Sequence, residues 1–174
     1  DLENVRKFDK AIEDDDYTNA FKLLLPLAEQ GYEHAQNNIA NFYEYGLGTK
    51  KDMKLAFKWY LRSAERGASY GQNNVGVCYK FGKGVEKNLT TAFEWFKKAA
   101  GGSNRALYNL GLCFRDGEGV EQDYSEAIKI FKLLVDKNDE DGICALGVMY
   151  YEGKGVPIDY KKAVKAEDPK EEDL

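Results

Sequence analysis

A repeated glycine pair constrains this chain more than any other feature. The pattern Gly-x-Gly occurs four times, and its copies begin at Gly46, Gly82, Gly117 and Gly153, in steps of 36, 35 and 36 residues. An alanine follows the same period in a second register, at Ala20, Ala56, Ala92, Ala127 and Ala163. Two independent markers with one period indicate a repeat protein, in which each unit buries its apolar face against its neighbours.

Each period contains two patterns of helical spacing. The first includes residues 74–79, Asn-Val-Gly-Val-Cys-Tyr, and the second includes residues 92–96, Ala-Phe-Glu-Trp-Phe. Apolar residues at i, i+1, i+3 and i+4 mark one face of a helix. A small residue such as Gly76 is expected to let the two helices of a pair approach closely. Gly-x-Gly is expected to end the first helix, because glycine adopts positive φ at low cost.

These motifs resemble the Sel-one-like repeat, a branch of the tetratricopeptide-repeat superfamily. The family pattern joins small-x-x-x-Asn-Leu-Gly-x-x-Tyr to Gly-x-Gly-Val and then to Ala-x-x-Trp-Tyr-x-x-Ala-Ala, and the resemblance covers the chain from Tyr17 onward. It implies an all-α fold, a right-handed α/α superhelical solenoid of about five antiparallel helix pairs. We divide the chain into a degenerate helix pair at 1–31, repeats at 32–67, 68–102 and 103–138, and a C-terminal repeat at 139–174 with an incomplete second helix and an acidic tail.

Two acidic segments and one proline depart from the repeat pattern. Residues 14–16, three aspartates, predict a turn and a helix N-cap, with a metal site as the weaker alternative. Residues 136–142 resemble a calcium loop, but their glycine, Gly142, is at the wrong position and no glutamate occupies the closing position, so they predict a turn between helices. Pro26 lies inside the second helix of the first pair and predicts a kink or a shortened helix.

No set of residues predicts catalysis. His34 is the only histidine, which excludes paired-histidine metal sites. The Ser-x-x-Lys motif of penicillin-binding proteins, an activity proposed for some relatives in this family, does not occur in the chain. Gly-x-Gly ends a helix instead of following a strand, so it is not a dinucleotide fingerprint. We therefore predict a protein that is not an enzyme and has no catalytic residues, metal or cofactor.

Charge and cysteine content limit the partners and the compartment. The net charge of -5 argues against nucleic-acid binding, and no apolar run reaches the roughly 20 residues that a membrane span requires. Cys78, Cys113 and Cys144 form no close pairs, which favours free thiols and a cytoplasmic protein. A mature periplasmic or secreted form that has lost a signal peptide is the alternative.

The family resemblance places the first helix of each pair on the concave face of the solenoid. Counting along those helices gives ten candidate residues for peptide or protein binding: Asn37, Asn41, Tyr70, Asn73, Lys80, Phe81, Arg105, Tyr108, Arg115 and Tyr151. Amides and cations would hold a peptide backbone or a carboxylate, and aromatic rings would supply anchors. The alternative is a solvated face without a partner. Asn38, Asn74 and Asn109 recur in register and are expected to bond the loop between helices.

The leading functional hypothesis is a non-catalytic scaffold or adaptor that binds a peptide or partner protein on the concave face. A cell-wall-ligand or penicillin-binding protein is one alternative. A solenoid that self-assembles through its open ends is another, although we expect a monomer.

Overall fold

The computed structural model describes residues 2–167, and the only regular secondary structure in this part of the chain is α-helix. Its ten helices are α1 Leu2–Glu13, α2 Tyr17–Gln30, α3 Glu33–Tyr45, α4 Met53–Glu65, α5 Ser69–Phe81, α6 Leu89–Ala99, α7 Asn104–Asp116, α8 Tyr124–Val135, α9 Glu140–Glu152 and α10 Tyr160–Glu167. They follow one another as five helix pairs, which confirms the all-α prediction. The predicted acidic tail lies outside the described residues from Asp168 onward.

The second helix of each pair begins at a side-chain cap. Asp52 Oδ1 accepts hydrogen bonds from the backbone N–H groups of Lys54 and Leu55, both at 2.9 Å. In the first pair, Asp16 Oδ1 accepts from the N–H of Asn19 at 3.0 Å, while Asp15 turns the chain at a φ of 56°. The aspartates at 14–16 therefore form the turn and cap that the sequence predicts, because a carboxylate satisfies N–H groups that have no partner in the first turn of a helix.

The Gly-x-Gly motif ends a helix and also joins consecutive pairs. Gly82 terminates α5 in the left-handed conformation, with a φ of 71°, and its N–H donates to the carbonyl of Cys78. A Cβ atom on Gly84 would overlap the carbonyl oxygen of Met53, the first residue of α4. The second glycine thus packs on the start of the second helix in the preceding pair, where only glycine fits.

The chain forms two compact units, Asp1–Ala99 and Ala100–Leu174. Unit 1 contains α1–α6. The pair α3–α4 is antiparallel, since the N–H of Asp52, just before α4, bonds the carbonyl of Tyr43 near the end of α3, whereas the hydroxyl of Ser63, near the end of α4, bonds the carbonyl of Glu33 at the start of α3. A Cβ atom on Gly76 would lie 2.5 Å from Cε1 of Phe96. The predicted close approach of the helices at this small residue is confirmed.

Unit 2 contains α7–α10 and repeats the same contact. A Cβ atom on Gly111 would lie 2.5 Å from Cε1 of Phe131, which is fully buried between α7 and α8. The turn at 136–139 joins α8 to α9, and Asp139 caps α9 by accepting from the N–H of Gly142. The acidic segment at 136–142 is therefore the interhelical turn that the sequence predicts. Helix α10 has only eight residues.

One expectation about local structure is wrong, that of a loop contact for Asn74, and of the two effects expected of Pro26 the shortened helix does not occur. Helix α2 continues through Pro26 for 14 residues and is the longest helix of the described part, so the proline does not shorten it. Pro26 is exposed, and water can therefore bond the carbonyl that the missing N–H leaves free. Asn74 donates to Oδ1 of Asn37 at 2.8 Å and not to a loop, so it joins α5 to α3.

Candidate protein-interaction site

A polar network lies between α3 and α4 in unit 1. The hydroxyl of Tyr60 is 2.6 Å from Oε2 of Glu44 and 2.6 Å from Oδ1 of Asn41. The Nζ of Lys83 donates to Oε1 of Glu44, also at 2.6 Å. The Glu44 side chain is only 12% exposed, and each of its two carboxylate oxygens accepts a hydrogen bond from one of these donors.

The hydroxyl of Tyr60 has one proton for two neighbours. A carboxylate is a stronger acceptor than an amide, so the proton is donated to Glu44. A rotation of the Asn41 side-chain amide by 180° would exchange two atoms of nearly equal size and let its NH₂ group donate to the Tyr60 oxygen. In that arrangement all three groups would be satisfied.

The network shifts the ionisation of its members. Burial raises the pKa of Glu44, but the hydrogen bonds from Lys83 and Tyr60 outweigh it and hold the pKa below the ordinary value. Burial and the charge of Glu44 raise the pKa of Tyr60, and the bond to Glu44 raises that of Lys83. Burial, with Glu44 nearby, raises the pKa of Cys78 to about 12. Glu44 and Lys83 are therefore a charged pair at neutral pH, and Cys78 is a protonated thiol.

The network occurs in one repeat only. At the position of Tyr60 the next repeats carry Phe96 and Phe131, and at the position of Asn41 they carry Val77 and Leu112. Phe96 and Phe131 are buried, Val77 and Leu112 are half-buried, and none of the four can reproduce the hydrogen bonds. At these two positions the repeat with Tyr60 and Asn41 therefore differs from the two repeats that follow it.

A cleft of about 870 Å³ opens beside this network, between the end of α3, the start of α4 and the Gly-x-Gly loop after α5. We call it the unit 1 cleft. Its lining residues are Glu44, Tyr45, Lys51, Met53, Lys54, Gly82, Lys83, Gly84, Val85 and Glu86. Lys51 lies close enough to Glu44 for its charge to lower the pKa of that carboxyl.

The predicted binding residues of unit 1 lie in different environments. Asn73 is 3% exposed, so its assignment to an exposed face is wrong. Asn37 is half-buried and accepts from Asn74, and Asn41 belongs to the polar network. Tyr70 is half-buried and stacks on His34, with ring centroids 4.7 Å apart.

The end of α5 presents the other two predicted residues of unit 1. Phe81 is 62% exposed, and Nζ of Lys80 lies 5.6 Å from the centroid of its ring. Tyr45, at the same position at the end of α3, is 66% exposed. Exposed aromatic rings therefore recur at the ends of these two first helices.

Unit 2 holds the remaining four predicted residues. Arg105 is exposed at the start of α7, whereas Tyr108 is half-buried with its ring 6.1 Å from that of Phe131. Arg115 makes two 2.7 Å hydrogen bonds to the carboxylate of Asp116. Tyr151 is 62% exposed. Arg105 and Tyr151 are thus the freely exposed members of this set.

We define the first-helix faces as the exposed surfaces of α3 and α5 in unit 1 and of α7 and α9 in unit 2. Sequence reasoning placed several of their residues but omitted Tyr60, Lys51 and Lys83. A comparison of equivalent positions across repeats could have identified Tyr60 and Asn41, because the next two repeats have apolar residues at both positions.

The sequence model of the Sel1 repeat matches residues 10–32, 33–67, 69–104, 104–139 and 141–165. The chain belongs to the Sel1 repeat family. Proteins of this family are generally protein-interaction scaffolds and are typically non-catalytic. No curated protein matched the chain.

Solved structures agree with this assignment. A Sel1 repeat protein from Oxalobacter formigenes is 31% identical, with a TM-score of 0.85 over 93% of this chain and 66% of its own. A protective antigen of uropathogenic Escherichia coli with an SLR fold is 32% identical, with a TM-score of 0.78 over 86% of this chain and 32% of its own. The cysteine-rich protein B of Helicobacter pylori, at 21% identity and a TM-score of 0.58 over 72% of this chain and 93% of its own, shares the fold.

The chain spans less than two thirds of the length of the first two of these proteins. Within residues 2–167, no helix is long and apolar enough to cross a membrane. In the same part of the chain, no three His, Cys, Asp or Glu side chains are grouped so that they could hold a metal ion.

Proposed function

We propose that this Sel1 repeat chain is a non-catalytic adaptor that binds a peptide or a partner protein on its first-helix faces. The observation that carries the proposal is the exposure of aromatic rings at the last residues of two successive first helices, Tyr45 of α3 and Phe81 of α5, with Tyr151 exposed one residue before the end of α9. One exposed apolar side chain is ordinary on a protein surface, but an exposed ring at the same position of two successive repeats is not.

The chemistry of these rings suits a binding surface. Tyrosine and phenylalanine bury a large area while only two side-chain torsions become fixed, so they supply much of the energy in protein interfaces. A cation accompanies the ring in α5, where Lys80 lies over Phe81. A peptide that buries Phe81 would therefore also meet a positive charge.

The backbone at the end of each first helix is ordered before a partner binds. The glycine at the end of each first helix is fixed by a backbone hydrogen bond, from Gly82 to Cys78 in α5 and from Gly153 to Met149 in α9. The backbone under each exposed ring is thus already ordered. Binding then costs little conformational entropy, which is the main way in which a preorganised scaffold gains affinity.

The experiment is a selection of displayed peptides on the immobilised chain, followed by affinity measurements on variants. Phe81→Ala should weaken the selected peptides by at least about tenfold, the effect of losing one interface anchor. Leu133→Ala is the matched control, because Leu133 is a 53% exposed apolar residue on a second helix. Equal loss in both variants, or no loss in either, would contradict the assignment to the first-helix face.

A second measurement addresses the absence of catalysis. The purified chain should not hydrolyse a chromogenic β-lactam above the background rate. Turnover that disappears in a single-residue variant of the chain would contradict the non-catalytic part of the proposal.

A further inference from the structure

The unit 1 cleft is positively charged in a protein that is negative as a whole. Lys51 and Lys54 line the cleft, and neither forms an ion pair within residues 2–167. Lys83 is half-exposed, and its ammonium group uses one N–H for Glu44, which leaves two for a ligand. The net charge of the chain is -5, so the charge of this group of lysines is opposite in sign to that of the chain as a whole.

The negative groups of the cleft do not cancel these cations. Glu44 is paired with Lys83 and bonded by Tyr60, so its charge is already neutralised by a near neighbour. Glu86 is the only other acidic residue in the lining. The unpaired charge that remains is that of Lys51 and Lys54 against Glu86, and an anionic ligand would be attracted to it.

Apolar groups share the cleft with the cations. Tyr45 lies at its edge with two thirds of its surface exposed, and the side chains of Met53 and Val85 complete the apolar part of the lining. A cleft of about 870 Å³ accommodates a side chain and the backbone on either side of it. The surface is thus suited to a ligand that carries negative charge and an apolar group together.

We propose that the unit 1 cleft binds an acidic peptide segment that contains an aromatic or large aliphatic residue. Lys51 and Lys54 hold carboxylates of the segment, Lys83 supplies a further hydrogen bond, and Tyr45 with Met53 and Val85 covers the apolar side chain. The inference rests on the proposed function in one respect, that the partner is a peptide. It adds the position and the charge of that peptide.

Charge and chemistry favour a peptide over other polyanions. Nucleic acids and sulfated polysaccharides present dense negative charge and would be repelled by the acidic remainder of the chain. They also lack an aliphatic side chain for Met53 and Val85. A peptide supplies both carboxylates and an apolar group within a few residues of one another.

The probe is a short fluorescein-labelled peptide in which glutamates flank a single phenylalanine, followed by fluorescence anisotropy at moderate ionic strength. Two matched peptides replace the glutamates with lysines or the phenylalanine with alanine. The first probe should bind at least about tenfold more tightly than either matched peptide. Equal binding of the alanine peptide would overturn the apolar half of the proposal.

The double variant Lys51→Glu with Lys54→Glu should weaken the first probe by at least about tenfold, since each reversal replaces an attraction with a repulsion. Helix α4 should persist, because Lys54 lies in its first turn, where a glutamate is favourable. Lys97→Glu with Lys132→Glu makes the same charge change at exposed residues outside the cleft and is the control. Equal loss in the two double variants would reduce the effect to net charge and overturn the site.

Two further outcomes separate this inference from the proposed function. Displayed peptides that require Phe81 but bind the Lys51 and Lys54 double variant normally would refute the cleft and leave the first-helix face intact. Heparin or phosphatidylserine vesicles that bind more tightly than the peptide, and are lost in the same double variant, would replace the peptide by another polyanion and overturn the proposal.

Discussion

Removing one hydroxyl from the polar network should measurably destabilise unit 1. Tyr60 is 2% exposed, and its O–H donates to the buried carboxylate of Glu44 at 2.6 Å. Tyr60→Phe keeps the ring and leaves Glu44 without one of its two donors. A hydrogen bond to a charged group contributes about 1.5–3 kcal/mol, so we expect a loss of about 2 kcal/mol in the free energy of unfolding.

The next repeat of the chain supplies a control for this expected loss in the free energy of unfolding. The next repeat carries Val77, Lys80 and Phe96 where this one has Asn41, Glu44 and Tyr60. The residue equivalent to Lys83 in that repeat is Glu118. The quadruple variant Asn41→Val, Glu44→Lys, Tyr60→Phe, Lys83→Glu therefore replaces every member of the network together and keeps opposite charges at the two paired positions. We expect it to be more stable than Tyr60→Phe alone, because replacing all members of a buried polar group is far less costly than removing one.

The effect should depend on pH in a defined direction. The pKa of Glu44 lies below its ordinary value of 4.5, so its ionised form stabilises the folded state above that pH and loses this contribution as pH falls through the folded pKa. The difference between wild type and Tyr60→Phe should be largest near neutral pH and should shrink below about pH 4.5.

Tryptophan emission during urea unfolding is the assay, since Trp59 and Trp95 both belong to unit 1. A loss of about 2 kcal/mol corresponds to a midpoint lower by about 1 M urea. Tyr79→Phe is the matched control, because the Tyr79 ring is also packed in unit 1 but its hydroxyl makes no hydrogen bond to the described residues. Equal midpoints for Tyr60→Phe and Tyr79→Phe, or a quadruple variant no more stable than Tyr60→Phe, would refute the reasoning.

Three further results are expected. Gly76→Ala should lower stability by about 1–3 kcal/mol because the added methyl meets the ring of Phe96 at 2.5 Å, whereas Gly101→Ala, with open space around it, should not; a circular dichroism melt compares them. Of the three thiols, only exposed Cys144 should react quickly with a disulfide reagent in the folded chain, while buried Cys78, whose pKa is about 12, should react only in denaturant. Light scattering after size exclusion should give a monomer of 19.7 kDa, and a stable dimer mass would favour the self-assembling alternative.

Periodicity was sufficient to predict the architecture of this protein. The 36-residue spacing, the small residue at Gly76 and the glycine pair at Gly82 each act through local geometry: a helix period, a close contact and a positive φ. Such features depend on a residue and its near neighbours in the chain. The helix pairs and the turn at 14–16 could therefore be inferred without coordinates.

The environment of each surface residue could not be inferred in the same way. Helical spacing put Asn73 on an open face, but packing against the neighbouring pair buries it, and Asn74 pairs with Asn37 across that same boundary. Neither contact is encoded by spacing within a single helix. Burial at such positions depends on how closely adjacent repeats pack.

The unit 1 cleft and its network were decided by tertiary structure for the same reason. Tyr60, Glu44 and Lys83 come from three different segments, and their hydrogen bonds exist only once the Gly-x-Gly loop of one pair has packed against the preceding pair. The sequence by itself determined that helix pairs would stack at a fixed period, because period and glycine geometry are local. Only the tertiary structure decided which charges remain unpaired, because the pairing of charges depends on distances between residues that are remote in the chain.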